Sequence, residues 1–411
     1  MIARVADLPC MRTFSVRDGH LALGGTPVTE LVTQAGGTPA YLYDTTTLRA
    51  RIGDLRRALP QAVELRYAIK ANPMPAVLAY LLPYVDGFDI ASTGELSRLQ
   101  ETGAAPETIS FAGPGKRDEE LAAAIAAGVT LHIESAGELE RIAAQADTQG
   151  TRPRVGVRIN PDFELKASGM RMGGGPQPFG IDAEAVPPIL QRIDALDLDF
   201  QGFHVFAGSQ NLHTGVLIDG LQRMLALIRE LSEAAPSEVK RITLGAGLGI
   251  PYFRDDPPID LDAYGQATAE ALARSHRDLP HARIGLELGR YLVGEAGVYL
   301  ARVIDRKISR GQTYLVTDGG MHHHLAASGN LGQVVRRNFP IAVANRMEAP
   351  PEETVSVVGP LCTPLDRLAG RIELPRAEPG DLIAVFQSGA YGPSASPVYF
   401  LSHPLPREKL V

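Results

Sequence analysis

The sequence predicts an α/β fold: a (β/α)8 TIM barrel joined to a C-terminal β-sandwich or β-barrel domain. Short apolar runs alternate with segments of helical period from Leu65 to Leu286. Eight strands alternating with helices over about 240 residues argue for a barrel, with a doubly wound open sheet as the competing arrangement. After about Val303 the pattern changes to strands and turns with no long helical period. A chain of 411 residues also exceeds one ordinary core, so two domains are expected.

In chain order, residues 14–16 and 20–23 read as a short strand pair. The barrel strands are expected at residues 65–69, 87–90, 109–112, 130–133, 154–159, 200–206, 241–244 and 283–286, each a short apolar run. Helices are expected at 93–101, 117–126, 135–144, 216–234 and 261–275. Ser135-Ala136-Gly137-Glu138 reads as a capping box. Strands follow at 313–317, 354–358 and 382–386, among turn signals such as Gly319-Gly320, Pro379-Gly380-Asp381 and Gly392-Pro393. The expected domains are a barrel over residues 40–303 and a β domain made of 1–39 and 304–411.

Composition narrows the function. Hydrophobic residues at 45% and charged residues at 21% describe a soluble globular protein. A net charge of −7 gives no support for nucleic acid or an anionic membrane as partner. No apolar run reaches the length of a membrane span, and residues 1–13 lack the apolar core of a signal peptide. Two cysteines at opposite ends, Cys10 and Cys362, fit a reducing cytoplasm.

In a barrel of this kind function collects at the carboxyl ends of the strands, and the unusual residues fall there. Lys70 follows the first strand and Asp89 closes the second. Arg158 and Asn160 close the fifth, and His204, Phe206 and Ser209 the sixth. Gly245–Gly249 follows the seventh, and Glu287-Leu288-Gly289-Arg290 the eighth. A lysine confined in a pocket loses some of its charge and becomes an amine nucleophile toward an aldehyde cofactor; the bland alternative is a surface lysine. The alternating glycines let backbone amides approach an anion, with Arg290 as a cationic partner. The spacing is not a dinucleotide fingerprint, since the third glycine and a following acidic residue are missing. Against a pyridine ring, the Glu287 carboxylate would keep the ring nitrogen protonated and the ring a strong electron sink. Otherwise it is an ion-pair partner.

Tyr67-Ala68-Ile69-Lys70-Ala71-Asn72, Gly87-Phe88-Asp89-Ile90-Ala91-Ser92, Gly94-Glu95-Leu96, Gly208-Ser209-Gln210, residues 245–250, 287–290, Gly359-Pro360-Leu361-Cys362 and Gly389-Ala390-Tyr391 together carry a resemblance. The chain resembles the pyridoxal-phosphate decarboxylases of the alanine-racemase fold, which include diaminopimelate, ornithine and arginine decarboxylases. The match runs in order over nearly the whole chain. It implies pyridoxal 5'-phosphate as cofactor, carried on Lys70, with Glu287 at the pyridine nitrogen. Ser209, the backbone of Gly247 and of Gly289-Arg290, and Tyr391 would bind the phosphate. Asp89 and Arg158 would line the cofactor site. Cys362 would enter from the partner subunit of a homodimer and return a proton to Cα.

Two departures bear on cofactor and substrate. The family places a stacking histidine shortly before Gly-Ser; here Phe206 occupies that place, and His204, two residues earlier, is the other candidate. Diaminopimelate decarboxylases carry Arg-Pro-x-x-x-Tyr after an Asp-Gly segment and an acidic residue after the interface cysteine. This chain has Asp318-Gly319-Gly320-Met321 followed by His322-His323-His324, and Thr363 follows Cys362. Charged ends of a substrate would lack their partners. Arg290, Asp318, His324, Thr363 and Tyr391 are the residues expected at the substrate.

The chain looks closer to the branch acting on amino acids linked to an acyl carrier protein and to relatives from exopolysaccharide gene clusters. Consecutive histidines on an extended segment point alternately, so His322–His324 does not read as a metal site. The expected activity is decarboxylation of an L-amino acid or derivative, free or carrier-linked. The alternatives are diaminopimelate decarboxylation, a racemase, which would want arginine where Glu287 stands, and a non-catalytic homologue.

Overall fold

The structure is a computed structural model that describes residues 11, 13–165, 170–171, 173–253, 255–331, 333 and 335–411. Cys10 lies outside the described residues. The chain forms two compact units. One contains Ile52–Gly249 and Pro257–Gly289; the other contains Met1–Arg51, Ile250–Asp256 and Arg290–Val411. The division therefore falls at different residues from the 40–303 boundary expected of the sequence. Residues 40–51, 250–256 and 290–303 group with the β unit.

The first unit is built on eight parallel strands: β1 Glu64–Ala68, β2 Gly87–Ile90, β3 Ile109–Phe111, β4 Thr130–Ile133, β5 Arg154–Asn160, β6 Asp199–Val205, β7 Arg241–Gly245 and β8 Arg283–Leu288. Each pairs with the next, and β8 pairs back onto β1, so the sheet closes into a barrel. The strands are buried on both faces, which is why they read as largely apolar runs. Helices come between them, among them Thr93–Thr102, Asp118–Ala127, Ala136–Gln149, Thr214–Ser232 and Leu261–Asp278.

Local chemistry sets the helix ends. Ser92 Oγ accepts from the Glu95 amide at 3.2 Å, and Ser135 Oγ from the Glu138 amide at 3.1 Å. The expected capping box is thus half formed. The Glu138 carboxylate takes the amide of Glu134, at 2.8 Å, one residue before the cap. Helices Pro75–Leu81 and Val186–Ala195 carried no expectation; both begin at or beside proline, which reads as a break although it suits a first helical turn.

In the β unit, strand Gly297–Ser309 is the spine. It pairs antiparallel with Ala40–Tyr43, Leu382–Val385 and Gln312–Thr317. Glu353–Val358 and Arg367–Leu374 extend the sheet beyond Gln312–Thr317. Ser15–Arg17 and His20–Leu23 form the short antiparallel pair, with Val16 opposite Leu21. Leu21, Leu23, Leu42, Val298, Leu300, Ala384 and Phe386 share one core. The 13-residue spine begins before Val303, where the sequence still seemed to belong to the barrel. Among the described residues no helix is long and apolar enough to cross a membrane.

Candidate active site

The polar side chains of the barrel strands meet in its interior. On β1 Arg66 is fully buried, and its guanidinium reaches Asp89 Oδ1 at 3.1 Å, Ser110 Oγ at 3.0 Å and the carbonyls of Phe88 and Thr108. Asp89, expected at the cofactor, is thus engaged by Arg66 and Ser110. Arg66 had passed as part of an apolar run.

Lys70 stands one residue beyond the expected strand, because Ile69–Ala71 turns as a 3-10 helix. The turn brings Lys70 Nζ to 3.0 Å from Glu287 Oε1. Glu287, on β8, is 4% exposed, and its Oε2 accepts from His204 Nε2 of β6 at 3.0 Å. Burial alone would raise the Glu287 carboxyl, but the Lys70 ammonium and the His204 bond hold it well below the usual carboxylate range. Glu287 is a buried carboxylate kept ionised.

The structure separates the two aromatic candidates. His204 is buried and committed to Glu287. Phe206 lies just past the end of β6 and is half-buried, its ring centre 5.1 Å from Lys70 Nζ. It covers Gly245, where a Cβ would come far inside contact with the ring. The glycine loop is similarly tight. Gly247 has φ +68°, and a Cβ there would meet the Gly208 carbonyl at 3.1 Å. The carbonyl of Gly247 accepts from Asn211 N at 3.0 Å. Ser209 sits in a two-residue strand opposite Met170, and Gly289 packs its α-carbon toward Ala71.

Arg158 is buried against Glu134, Nη1 to Oε1 at 2.7 Å. Glu134 also accepts from the amides of Gly113 and Gly180. Burial would raise this carboxyl, but Arg158 and Lys116 bring it down. Lys116 is buried on Glu138 at 2.5 Å and on the carbonyls of Gly113 and His132, a structural lysine rather than a rival to Lys70.

In the β unit, Arg290 donates to the Tyr252 hydroxyl and lies with its guanidinium 4.6 Å from the centre of the Tyr391 ring. Tyr391 is held at φ +56°, a costly conformation for a residue other than glycine. Tyr252 carried no expectation, since an aromatic beside a proline gives no sign in sequence of an arginine partner. Cys362 is exposed and free. Thr363 accepts from the Leu365 amide within a tight turn, and Asp366, four residues after the cysteine, is buried as an acceptor for the amides of Met321 and Leu361. Asp318 is held by the Arg302 amide at 2.8 Å and by Thr38 Oγ1.

The three histidines do not lie on an extended segment, as expected, but in successive turns. His324 is fully buried: Nδ1 accepts from Ala327 N at 3.3 Å and Nε2 meets Ser388 Oγ at 2.9 Å. His324, expected at the substrate, thus has both ring nitrogens engaged within the β unit. His323 bridges Tyr299 and the Pro404 carbonyl.

Comparison with known proteins gives a consistent result. Residues 45–294, more than half the chain, match the family described as "Pyridoxal-dependent decarboxylase, pyridoxal binding domain". L-glutamyl-[BtrI acyl-carrier protein] decarboxylase of Niallia circulans is 37% identical over 91% of this chain and 88% of its own. Diaminopimelate decarboxylase of Archaeoglobus fulgidus is 32% identical over 92% of this chain and 89% of its own. The crystal structure of diaminopimelate decarboxylase from M. jannaschii with L-lysine superposes with a TM-score of 0.87, at 26% identity, over 98% of this chain and 93% of that one.

Proposed function

The chain belongs to the pyridoxal-dependent decarboxylase family, and on that premise we propose that it removes the α-carboxyl group of an amino acid linked to an acyl carrier protein, using pyridoxal phosphate. The observation that carries the chemistry is the buried Glu287 carboxylate shared by the Lys70 amine and the His204 imidazole, each at 3.0 Å.

The residues fit the cofactor. Lys70 has a side chain 45% exposed beside a carboxylate 3% exposed, so a partly exposed amine stands against a fixed negative charge. Gly247, left-handed and without a side chain, allows close approach of backbone to an anion. Lys70 would hold the cofactor covalently, Glu287 would face its ring nitrogen, and Phe206 would cover a ring face. Ser209, Gly247, Gly289, Arg290 and Tyr391 would bind the phosphate. When bound, pyridoxal phosphate supplies the sink for the electron pair released as carbon dioxide leaves.

Before the cofactor binds, Lys70 and His204 hold Glu287 ionised against its burial; with Lys70 committed to the cofactor, His204 would go on donating to Glu287, and the protonated ring nitrogen would take the place of the Lys70 cation beside the carboxylate. Phe206 excludes water and carries no proton of its own. Cys362 Sγ would deliver the proton that replaces the carboxylate, entering from the partner subunit of a homodimer.

The carrier-linked substrate rests on the relative named for such a reaction and on the residues following Cys362. Thr363 offers no charge, Asp366 is spent on two amides, and residues 325–330 contain no arginine. A free charged end would lose its water without a partner, at a cost on the order of several kcal/mol.

Carbon dioxide release from a panel of free and carrier-linked amino acids tests this. We expect turnover of a carrier-linked amino acid and poor turnover of diaminopimelate, lysine and ornithine. Efficient decarboxylation of free diaminopimelate would return the chain to the second reading, which the diaminopimelate decarboxylase relatives favour.

A further inference from the structure

The β unit holds two cations that the chemistry above leaves unused. Arg336 Nη2 donates to the backbone carbonyl of Arg367, which brings the two arginines together. Nearby arginines have acidic partners: Arg337 has Asp256 at 3.5 Å and Arg346 has Asp381 at 2.9 Å. Among the described residues, neither Arg336 nor Arg367 has a carboxylate within reach of an ion pair, and the buried Nε of Arg367 has no hydrogen-bond partner. Burial, and then the charge of Arg367, bring the Arg336 guanidinium below its ordinary value. The fold fixes this arrangement. Asn338 Nδ2 donates to the Gly370 carbonyl at 2.8 Å, and its Oδ1 accepts from the Gly370 amide at 2.9 Å. Residues 336–338 are thereby stitched along the strand Arg367–Leu374. Gly329, at φ +78°, leaves room for the arginine: a Cβ there would lie 2.9 Å from Arg336 Cγ.

The pair stands at the foot of the loop that carries Cys362. Val358 and Arg367 are register partners in the antiparallel strands Glu353–Val358 and Arg367–Leu374, and residues 359–366 join them. The Leu365 carbonyl accepts from the Arg367 amide at 2.9 Å and from Asn330 Nδ2 at 3.3 Å, which ties the loop to both sides of the patch. Arg367 is five residues from Cys362, at most about 18 Å of fully extended chain. An acyl carrier protein holds its acyl group as a thioester at one end of a pantetheine arm, and the other end of that arm is a negatively charged phosphodiester. A thioester brought to the site that Cys362 serves therefore calls for an anion subsite set back from the reacting carbon. The planar fork of a guanidinium matches two phosphate oxygens. An acidic protein face would instead call for a row of spaced cations, whereas here two meet at one point.

We propose that Arg336 and Arg367 form the subsite for the phosphodiester of a carrier-bound pantetheine arm, anchoring it while the aminoacyl end reaches the site that Cys362 serves. This rests on the reading of the substrate as carrier-linked.

The test measures binding of 4'-phosphopantetheine, pantetheine and inorganic phosphate to the holoenzyme by calorimetry. 4'-Phosphopantetheine should bind about tenfold tighter than pantetheine, the scale of one charge-assisted contact. It should also bind tighter than inorganic phosphate, and its advantage over pantetheine should shrink as salt is raised. Combining Arg336→Gln with Arg367→Gln should abolish that advantage and leave pantetheine binding unchanged, while lysine at both positions should keep part of it. For an amino acid loaded on a phosphopantetheinylated carrier protein, the double glutamine variant should raise KM about tenfold with kcat little changed. Equal binding of 4'-phosphopantetheine and pantetheine by the unaltered protein would overturn the proposal, and that comparison needs no variant to fold. Inorganic phosphate binding as tightly as 4'-phosphopantetheine would also overturn it, leaving a simple anion site. So would an advantage that survives in the double glutamine variant. Dissociation of that variant into monomers, read by light scattering, would assign the arginines to a second copy of this chain and likewise refute the subsite. Binding is read without turnover, so the two readings fail separately. Arginine-dependent binding of 4'-phosphopantetheine, with no carbon dioxide from any carrier-linked amino acid, would uphold the subsite and overturn the substrate reading.

Discussion

A carboxylate with 4% of its surface exposed, bonded on one oxygen to an amine and on the other to an imidazole, is an expensive group to maintain unless its charge is used. At the residue scale, Glu287→Gln keeps the shape and removes the charge. We expect turnover to fall at least ~100-fold with cofactor still bound, the scale of losing one charge-stabilising group. An unchanged rate would make the carboxylate merely structural. Lys70 is expected to carry the cofactor. Borohydride should fix a visible absorption to the protein, and peptide mapping should place the label on Lys70. A label on Lys116 would be surprising, since that amine is buried on Glu138. Lys70 was legible in the sequence because strand, lysine and turn follow one another. The place of His204 was not, since two residues of sequence do not distinguish a ring over a ligand from a ring under one.

Among the elements, the turns at His322–His324 differ most from expectation. Burial pushes His324 down from an ordinary 6.5 to about 3, and no charge opposes it. Between those two values the unfolded chain binds a proton that the folded chain refuses. The contribution of His324 to stability is therefore complete above about pH 6.5. It is lost as pH falls toward 3, by about 1.4 kcal/mol per pH unit. Urea unfolding followed from pH 7 to 4 should show stability falling with acid. His324→Gln should reduce proton uptake on unfolding at pH 5 by about one. An unchanged slope would show that the imidazole is not held neutral. The helices with strong caps or clear periodicity matched expectation to within a few residues, because those signals are local. Gly297–Ser309 was missed because its register is set by three partner strands from distant parts of the chain.

At the scale of the whole molecule, Lys70 and Cys362 belong to different compact units. If the cysteine serves the site of a partner subunit, mixed subunits should complement. Lys70→Ala and Cys362→Ala, each inactive alone, should regain part of the activity when exchanged into hybrid dimers. An active monomer, or exchanged hybrids that stay inactive, would argue against sharing.

The sequence by itself determined the barrel, the terminal sheet and the strand-end position of Lys70, Glu287 and the glycine loop. Each of these follows from periodicity and turn chemistry within a few residues. The pairing of Lys70 with Glu287 spans 217 positions and that of His204 with Glu287 spans 83. Closure of the barrel decided both pairings. It also set the charge on Glu287, because a carboxylate stays ionised in a dry interior only when folding delivers a cation and a donor to it.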